Sequence, residues 1–360
     1  MSTTKTGPVI TDTSVRFWLA DPSGQVSSAR LYQEVLGEHR LLDMARHDGG
    51  FELWLDRPAV HRMEYAFDIT RVDGSTAREL DPDNDGTVDG VFGHKSVLEF
   101  PGYQAPRWLD EPAGLAEQVA LPVESERLGT TVPVRLWQPS GAEPGAPLPL
   151  LVVHDGVEFN TFSSITTWAA AAVNRGWVQP FRMALLHPVE RIEWYSANPA
   201  YAGALIDQVL PAISSAVAVT GRPALTGASL GALAALHAHL SHPGVFAGLF
   251  LQSGSFFTDL PEGREESLRA IPPFVADVHA AALLAEPVPA VLTVGVVERN
   301  RQNVRHMAET LAARGYDVQL HEMPDGHNYT AWRDAFDPHL TELLARLWGK
   351  NESTDVPAGQ

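Results

Sequence analysis

The stretch Ala224-Leu225-Thr226-Gly227-Ala228-Ser229-Leu230-Gly231 decides how this chain is read. It holds a Gly-x-Ser-x-Gly pattern with Ser229 at the centre. An apolar pair leads in, and the small-residue run Ala232-Leu233-Ala234-Ala235-Leu236-His237-Ala238 leads out. Strand, tight turn and helix in that order make a nucleophile elbow, a turn sharp enough to strain the residue at its tip. Glycines at 227 and 231 let strand and helix approach without Cβ atoms in the way. Ser229 Oγ is then expected at the head of a helix, where the first N–H groups favour developing negative charge. The competing reading has Ser229 merely capping that helix.

Around the elbow the pattern alternates. A continuous apolar run over 148–153 reads as a strand buried on both faces. Further strands are expected at 183–186, 248–251, 290–296 and 318–321, with helices near 165–173, 201–217, 302–314 and 331–347. Such alternation predicts a mainly parallel sheet with helices on both faces, an α/β domain over 131–349. Residues 10–104 differ. Short aromatic-rich runs at 15–20, 29–32, 51–55 and 64–69 are separated by turn signals such as Asp73-Gly74, which predicts a β-sandwich. Residues 105–130, with Pro106, Pro112 and Pro122, read as a linker, and 350–360 as a polar, disordered tail. The acidic run Asp81-Pro82-Asp83-Asn84-Asp85-Gly86 imitates the start of a calcium loop, but position twelve is Phe92 where a bidentate Glu is required. A solvated turn is the better expectation, and no metal or organic cofactor is expected.

The chain has 360 residues and a formal net charge of −18. That charge argues against nucleic-acid phosphates and anionic membrane surfaces as partners. No cysteine is present, which excludes disulfides and thiolate chemistry. The amino-terminal residues lack an apolar signal core, and no run reaches the roughly 20 apolar residues of a membrane span. A cytoplasmic protein is expected, with a small molecule as its partner and its oligomeric state open.

A serine hydroxyl needs a base, and the base an orienting acid. His327, in Asp325-Gly326-His327-Asn328-Tyr329, follows the last expected strand and precedes the last helix, and is the candidate base. His154 also ends a strand and is its rival. Glu298, at the end of Val294-Gly295-Val296-Val297, is the candidate acid. Asp325 and a Ser-His pair without an acid remain open beside it. The oxyanion needs two N–H groups, expected from Leu230 and from Val157, with Gly156 as the second choice. Arg191, Trp194, Trp168, Phe256, Phe257 and Arg301 lie near expected strand ends and are candidates for an aromatic, anion-tolerant substrate cleft.

These stretches together resemble the esterase D-like branch of α/β-hydrolases, and within it the enterochelin (siderophore) esterase group. The resemblance rests on Asp155-Gly156, on Arg191-Ile192-Glu193-Trp194-Tyr195 with Leu210-Pro211, and on the elbow. It rests also on Glu298 with Asn303, and on Gly326-His327-Asn328-Tyr329-Thr330-Ala331-Trp332-Arg333. It covers residues 116–347, and residues 10–104 look like the immunoglobulin-like domain that precedes some of these esterases. Asn328 stands where the group often has Asp, and Ala232 where a second Gly is frequent.

The resemblance implies an α/β-hydrolase fold (esterase D-like) preceded by a smaller immunoglobulin-like β-sandwich. It implies a serine carboxylic-ester hydrolase acting through an acyl-enzyme on a small-molecule ester, with a catecholate iron-siderophore tri-ester as substrate. Feruloyl or acetyl carbohydrate esterase, acyltransferase and a non-catalytic binding protein on the same fold are the alternatives.

Overall fold

The computed structural model describes residues 7–37, 40–91, 93–111, 118–260, 266, 268–280 and 285–350. The chain divides into two compact units. One comprises the chain through Gln104 with Gly295–Arg299 and Met323–Ala331, and the other comprises the remainder. Phe92 and the expected tail beyond residue 350 lie outside the described residues.

The amino-terminal unit is built from short antiparallel strands. β1 (Val9–Ile10), β2 (Ser14–Ala20), β5 (Ala45–His47) and β6 (Gly50–Asp56) form a four-stranded sheet in the order β1-β2-β6-β5. β3 (Val26–Gln33), β4 (Leu41–Asp43), β7 (Arg62–Arg71), β8 (Thr76–Glu79), β9 (Thr87–Val88) and β10 (Lys95–Glu99) form a second sheet centred on β7. The alternation read from the sequence is that of strands with one buried face. Val15, Phe17 and Leu19 of β2 and Ala29 and Leu31 of β3 are buried, with more exposed residues between them. Side chains of both sheets meet in one core, where Phe17 packs edge-on against Tyr65 at 4.9 Å.

The acidic run is absorbed by this core. Asp81 is buried, accepts from Tyr65 Oη at 2.7 Å and receives the Asp83 N–H at 2.9 Å. Asn84 donates to Tyr65 Oη and to the Val97 carbonyl, so the segment is a side-chain-braced turn.

The second unit carries an eight-stranded sheet. Its strands are β11 (Gln118–Ser125), β12 (Thr130–Trp137), β13 (Leu150–Val153), β14 (Arg182–Leu186), β15 (Ala224–Ala228), β16 (Gly248–Gln252), β17 (Pro289–Gly295) and β18 (Asp317–Met323), in the order β11-β12-β14-β13-β15-β16-β17-β18. The central pairings from β14 through β13, β15 and β16 to β17 are parallel, and β11 and β12 join antiparallel at one edge. All residues of β13, β15 and β16 are buried, as expected for strands covered on both faces. The helices are α1 (Gly156–Ser163), α2 (Ile165–Asn174), α3 (Arg191–Tyr195), α4 (Pro199–Ala204), α5 (Leu210–Ala216), α6 (Leu230–Ser241), α7 (Ile271–His279), α8 (Arg301–Ala312), α9 (Tyr329–Asp334) and α10 (Thr341–Trp348).

The structure departs from the sequence reading in several places, among them α1 and α7, which were not expected as helices. Part of the expected linker is β11, whose Pro122 lies opposite Pro133 in the register. Proline reads as a breaker but is tolerated on an edge strand, where a missing N–H leaves no neighbour unsatisfied. The expected long helix over 201–217 widens to a π-helical turn at Leu205–Val209, ahead of Pro211. The last expected helix is interrupted, because Asp337 adopts extended backbone angles between α9 and α10.

Three histidines of the second unit, His154, His237 and His239, are buried. Loss of hydration lowers each of them to about 4, so they stay neutral in the fold. In the unfolded chain they titrate near 6.5, so unfolding takes up protons in between and stability falls as pH drops through that window. Carboxyls raised by burial work the other way, Asp325 to about 6 and Asp81 and Asp337 in the same direction, while His339 joins the three imidazoles at about 4. Denaturant midpoints should therefore decline steadily from about pH 7 to about pH 4.5. A midpoint that held constant would contradict neutral burial of these imidazoles.

Candidate active site

Ser229 occupies the turn between β15 and α6 with φ 56° and ψ −119°. A non-glycine residue held there costs of order 1–3 kcal/mol. The turn tolerates it because neighbours pin it. Ser229 N–H donates to the Gln252 carbonyl at 2.8 Å, and its carbonyl receives Ser255 N–H at 3.1 Å. A Cβ on Gly227 would sit 2.5 Å from the Gly231 carbonyl carbon, so glycine is required for this approach of strand and helix. Ser229 makes no side-chain capping bond, and its half-buried Oγ lies 3.3 Å from Ser255 Oγ. Strain without capping sets aside the helix-cap reading.

Two helix N-termini are built close to the sheet's parallel centre. The first N–H groups of a helix have no acceptor within it. Leu230 opens α6, and Gly156 and Val157 open α1, directly after β13. Asp155 before α1 has φ 53°, and a Cβ on Gly156 would meet Leu185 Cα at 2.4 Å. That contact explains the Asp-Gly pair. β13 must hand over to α1 against the backbone of β14, and only glycine fits.

His154 is fully buried. Its Nδ1 donates to the Thr226 carbonyl at 3.1 Å and its ring packs on Tyr195 and Tyr201. This is a packing histidine, not a base facing solvent.

His327 and Glu298 lie in the loops that follow β18 and β17. Glu298 Oε2 is 2.7 Å from His327 Nδ1, and its Oε1 accepts the Gly295 N–H at 2.7 Å. The Glu298 side chain is 1 % exposed and that of His327 41 %. A buried carboxylate against Nδ1 selects the tautomer that carries the proton there and leaves Nε2 with its lone pair. Asp325, the alternative acid, is engaged differently. Its Oδ1 accepts Gly326 N–H at 2.6 Å and Asn328 Nδ2 at 2.9 Å, shaping the loop that presents His327.

The expected substrate contacts have other surroundings. Trp168 is fully buried among Phe181 and Phe336, with its Nε1 donating to Thr341. Trp194 is 3 % exposed and stacks on Tyr201, and Phe256 is fully buried. Aromatic residues near strand ends serve a core as readily as a cleft, and sequence position alone does not separate the two. Phe257 is partly buried. Arg301 is paired through two nitrogens with Glu322, which Arg305 also holds. Arg191 donates to Asp155 through Nε at 2.8 Å and Nη2 at 2.7 Å. Sequence reading missed Ser255. The available signal was Gln252-Ser253-Gly254-Ser255, small polar residues directly after a buried apolar strand.

A mainly parallel sheet with a strained serine between strand and helix defines an α/β-hydrolase-type fold. Residues 125–267 match the family described as putative esterase. An iron(III) enterobactin esterase of Dickeya dadantii is 26% identical over 251 residues, 65% of this chain, and the aligned part spans 57% of that relative's length. Among solved structures, the enterobactin esterase of Shigella flexneri crystallised in the presence of enterobactin superposes with a TM-score of 0.77 at 21% identity, over 95% of this chain and 97% of that one. The ferric enterobactin esterase of Salmonella typhimurium gives 0.77 at 24% identity with the same coverage. These likenesses bear out the resemblance read from the motifs.

Arg191→Ala would leave the buried Asp155 carboxylate unpaired. Breaking a buried pair costs about 3–5 kcal/mol, less here because Arg191 is partly exposed. The variant should lose stability and affect neutral and anionic esters alike. A KM increase confined to anionic substrates would instead make Arg191 a substrate contact.

Proposed function

We propose that this protein is a serine carboxylic-ester hydrolase, with Ser229 as nucleophile, His327 as base and Glu298 as orienting acid. The observation that supports this most directly is the buried Glu298 carboxylate on His327 Nδ1 at 2.7 Å. Ser229 Oγ attacks the ester carbonyl carbon while His327 Nε2 takes its proton. The Leu230 and Val157 N–H groups receive the oxyanion, with Gly156 beside them, and each such donor is worth about 10²–10³ in rate. Collapse of the tetrahedral adduct breaks the bond to the leaving alcohol, to which His327 returns the proton. Water, deprotonated by His327, then attacks the acyl-enzyme and frees the acid and Ser229. Glu298 holds the ring and stabilises the imidazolium formed on the way.

For substrate we infer a catecholate siderophore tri-ester of the enterochelin type, because the similar esterases carry that activity in their names and span most of the fold. Iron enters here as cargo of the substrate. The working division of the chain is an immunoglobulin-like β-sandwich over 10–104 and a hydrolase domain from 131 to 349. Among the described residues no helix is long and apolar enough to cross a membrane, and a cytoplasmic setting fits a small-molecule substrate.

Ser229→Ala should fold and lose ester turnover by several orders of magnitude, and with it labelling by a fluorophosphonate. Glu298→Gln keeps the shape and removes the charge. Its kcat should fall about 10²–10⁴-fold with KM little changed. Turnover near wild type in Ser229→Ala refutes the reading. A kcat within about threefold of wild type in Glu298→Gln leaves a Ser-His pair without an acid.

A further inference from the structure

The loops bearing Glu298 and His327 fall into one compact unit with the amino-terminal strands. Adjacent residues at the start of β7 make two of the attachments. His61 N–H donates to the Pro324 carbonyl at 2.6 Å, and Arg62 Nη1 lies 3.6 Å from Asp325 Oδ2. A third is apolar, since Val296 and Val297, just ahead of Glu298, pack on the amino-terminal core. The two loops are also joined to each other by Val296 N–H donating to the Met323 carbonyl at 2.8 Å.

Arg62 is an unusual element of a small antiparallel sheet. It is 3 % exposed, and neither Nε nor Nη1 makes a hydrogen bond among the described residues. Its guanidinium carbon lies 5.6 Å from the Tyr103 ring centroid. Burying a cation is costly unless an opposite charge offsets it, and Asp325, itself 6 % exposed, is the carboxylate that faces it. With Oδ2 turned to Arg62, Asp325 Oδ1 is left to accept from Gly326 N–H and Asn328 Nδ2, the residues on either side of His327. Asn328 Oδ1 in turn accepts Ala331 N–H at 2.8 Å, fixing the start of α9.

We propose that Arg62 is a positioning residue for the proton relay: acting through Asp325, it fixes the loop that sets His327 against Glu298. The amino-terminal sheets are thereby part of the catalytic apparatus and not an appended module. This rests on the reading of His327 as the base.

The test uses the full chain. Arg62→Met removes the charge, Arg62→Lys keeps it without the planar fork, and Asp325→Asn keeps the carboxyl shape. Misplacing a catalytic group by about 1 Å costs on the order of 10²-fold. Arg62→Met should therefore lose about that factor in kcat with KM within a few-fold, and Arg62→Lys should recover part of it. Because the effect runs through Asp325, the loss in the Arg62→Met, Asp325→Asn double variant should not exceed that of the worse single variant.

The second readout needs no substrate. In protein labelled with ¹⁵N-histidine, the His327 ring signals of the wild type should report the Nδ1–H tautomer. In Arg62→Met they should shift or broaden while the signal of His154 stays put. Unchanged His327 signals with a kcat within about threefold of wild type overturn the proposal. So does failure of Arg62→Met to fold while Arg62→Lys and Asp325→Asn fold with full kcat, which would make Arg62 a purely structural group. If wild-type protein neither hydrolyses esters nor reacts with a fluorophosphonate, the esterase reading fails on its own, and the imidazole signals still decide whether Arg62 sets His327.

Discussion

Glu298, Asp155 and Asp325, which follow β17, β13 and β18, are among the buried carboxylates, and a buried anion must be met by opposite charge and hydrogen-bond donors. That requirement organises much of what surrounds them. Glu298 is met by the Gly295 N–H and by His327, and one interaction thus satisfies the acid and selects the tautomer of the base. Asp155 is met by both arms of Arg191, which ties α3 to the entrance of α1. Asp325 is met by Arg62, Gly326 and Asn328, which ties the loop around His327 to β7. None of the three partners is adjacent to its carboxylate in sequence where the pair is ionic, so these bonds form only once the fold has formed.

The same constraint accounts for the fate of the cations. With a net charge of −18, arginine near the sheet looks like a means of attracting an anionic substrate. Arg191 and Arg301 are each held by a carboxylate of their own, Asp155 and Glu322. Glu322, gripped by two arginines, has its carboxyl held down to about 2, so its pairs with Arg301 and Arg305 stay ionised across the working range of pH. Each of these charges faces a carboxylate of the protein itself.

Backbone strain and glycine spacing answer a different need. Ser229 at φ 56° is held because Gly227 lets the strand approach the helix backbone at Gly231, and because Gln252 of β16 and Ser255 beyond it supply partners for its backbone. Gly295 meets a related demand. A Cβ there would lie 2.3 Å from the Asp325 carbonyl oxygen and 2.9 Å from Glu298 Oε1. The residue that ends β17 must therefore be glycine for Glu298 to fold back onto its own strand end.

Local physics made much of this legible from residue order alone. The elbow could be read because a strained turn between strand and helix demands small residues at fixed spacing. The parallel strands could be read because burial on both faces demands unbroken apolar runs, and the amino-terminal strands because one buried face demands alternation. Glu298 and His327 stand out in the sequence by their places at strand ends, and the structure joins them by a hydrogen bond. What residue order did not decide is which side chain meets which across long separations. Trp168 and Phe256 looked like cleft residues and are core, because an aromatic side chain at a strand end suits either place and only packing chooses. Arg191 looked like a cleft residue and is paired with Asp155, 36 residues away. Arg62 carried no signal, since an arginine opening a β-strand is ordinary. It acquires a partner in Asp325 only when chain segments more than 260 residues apart are brought together, and its burial there makes that pairing obligatory.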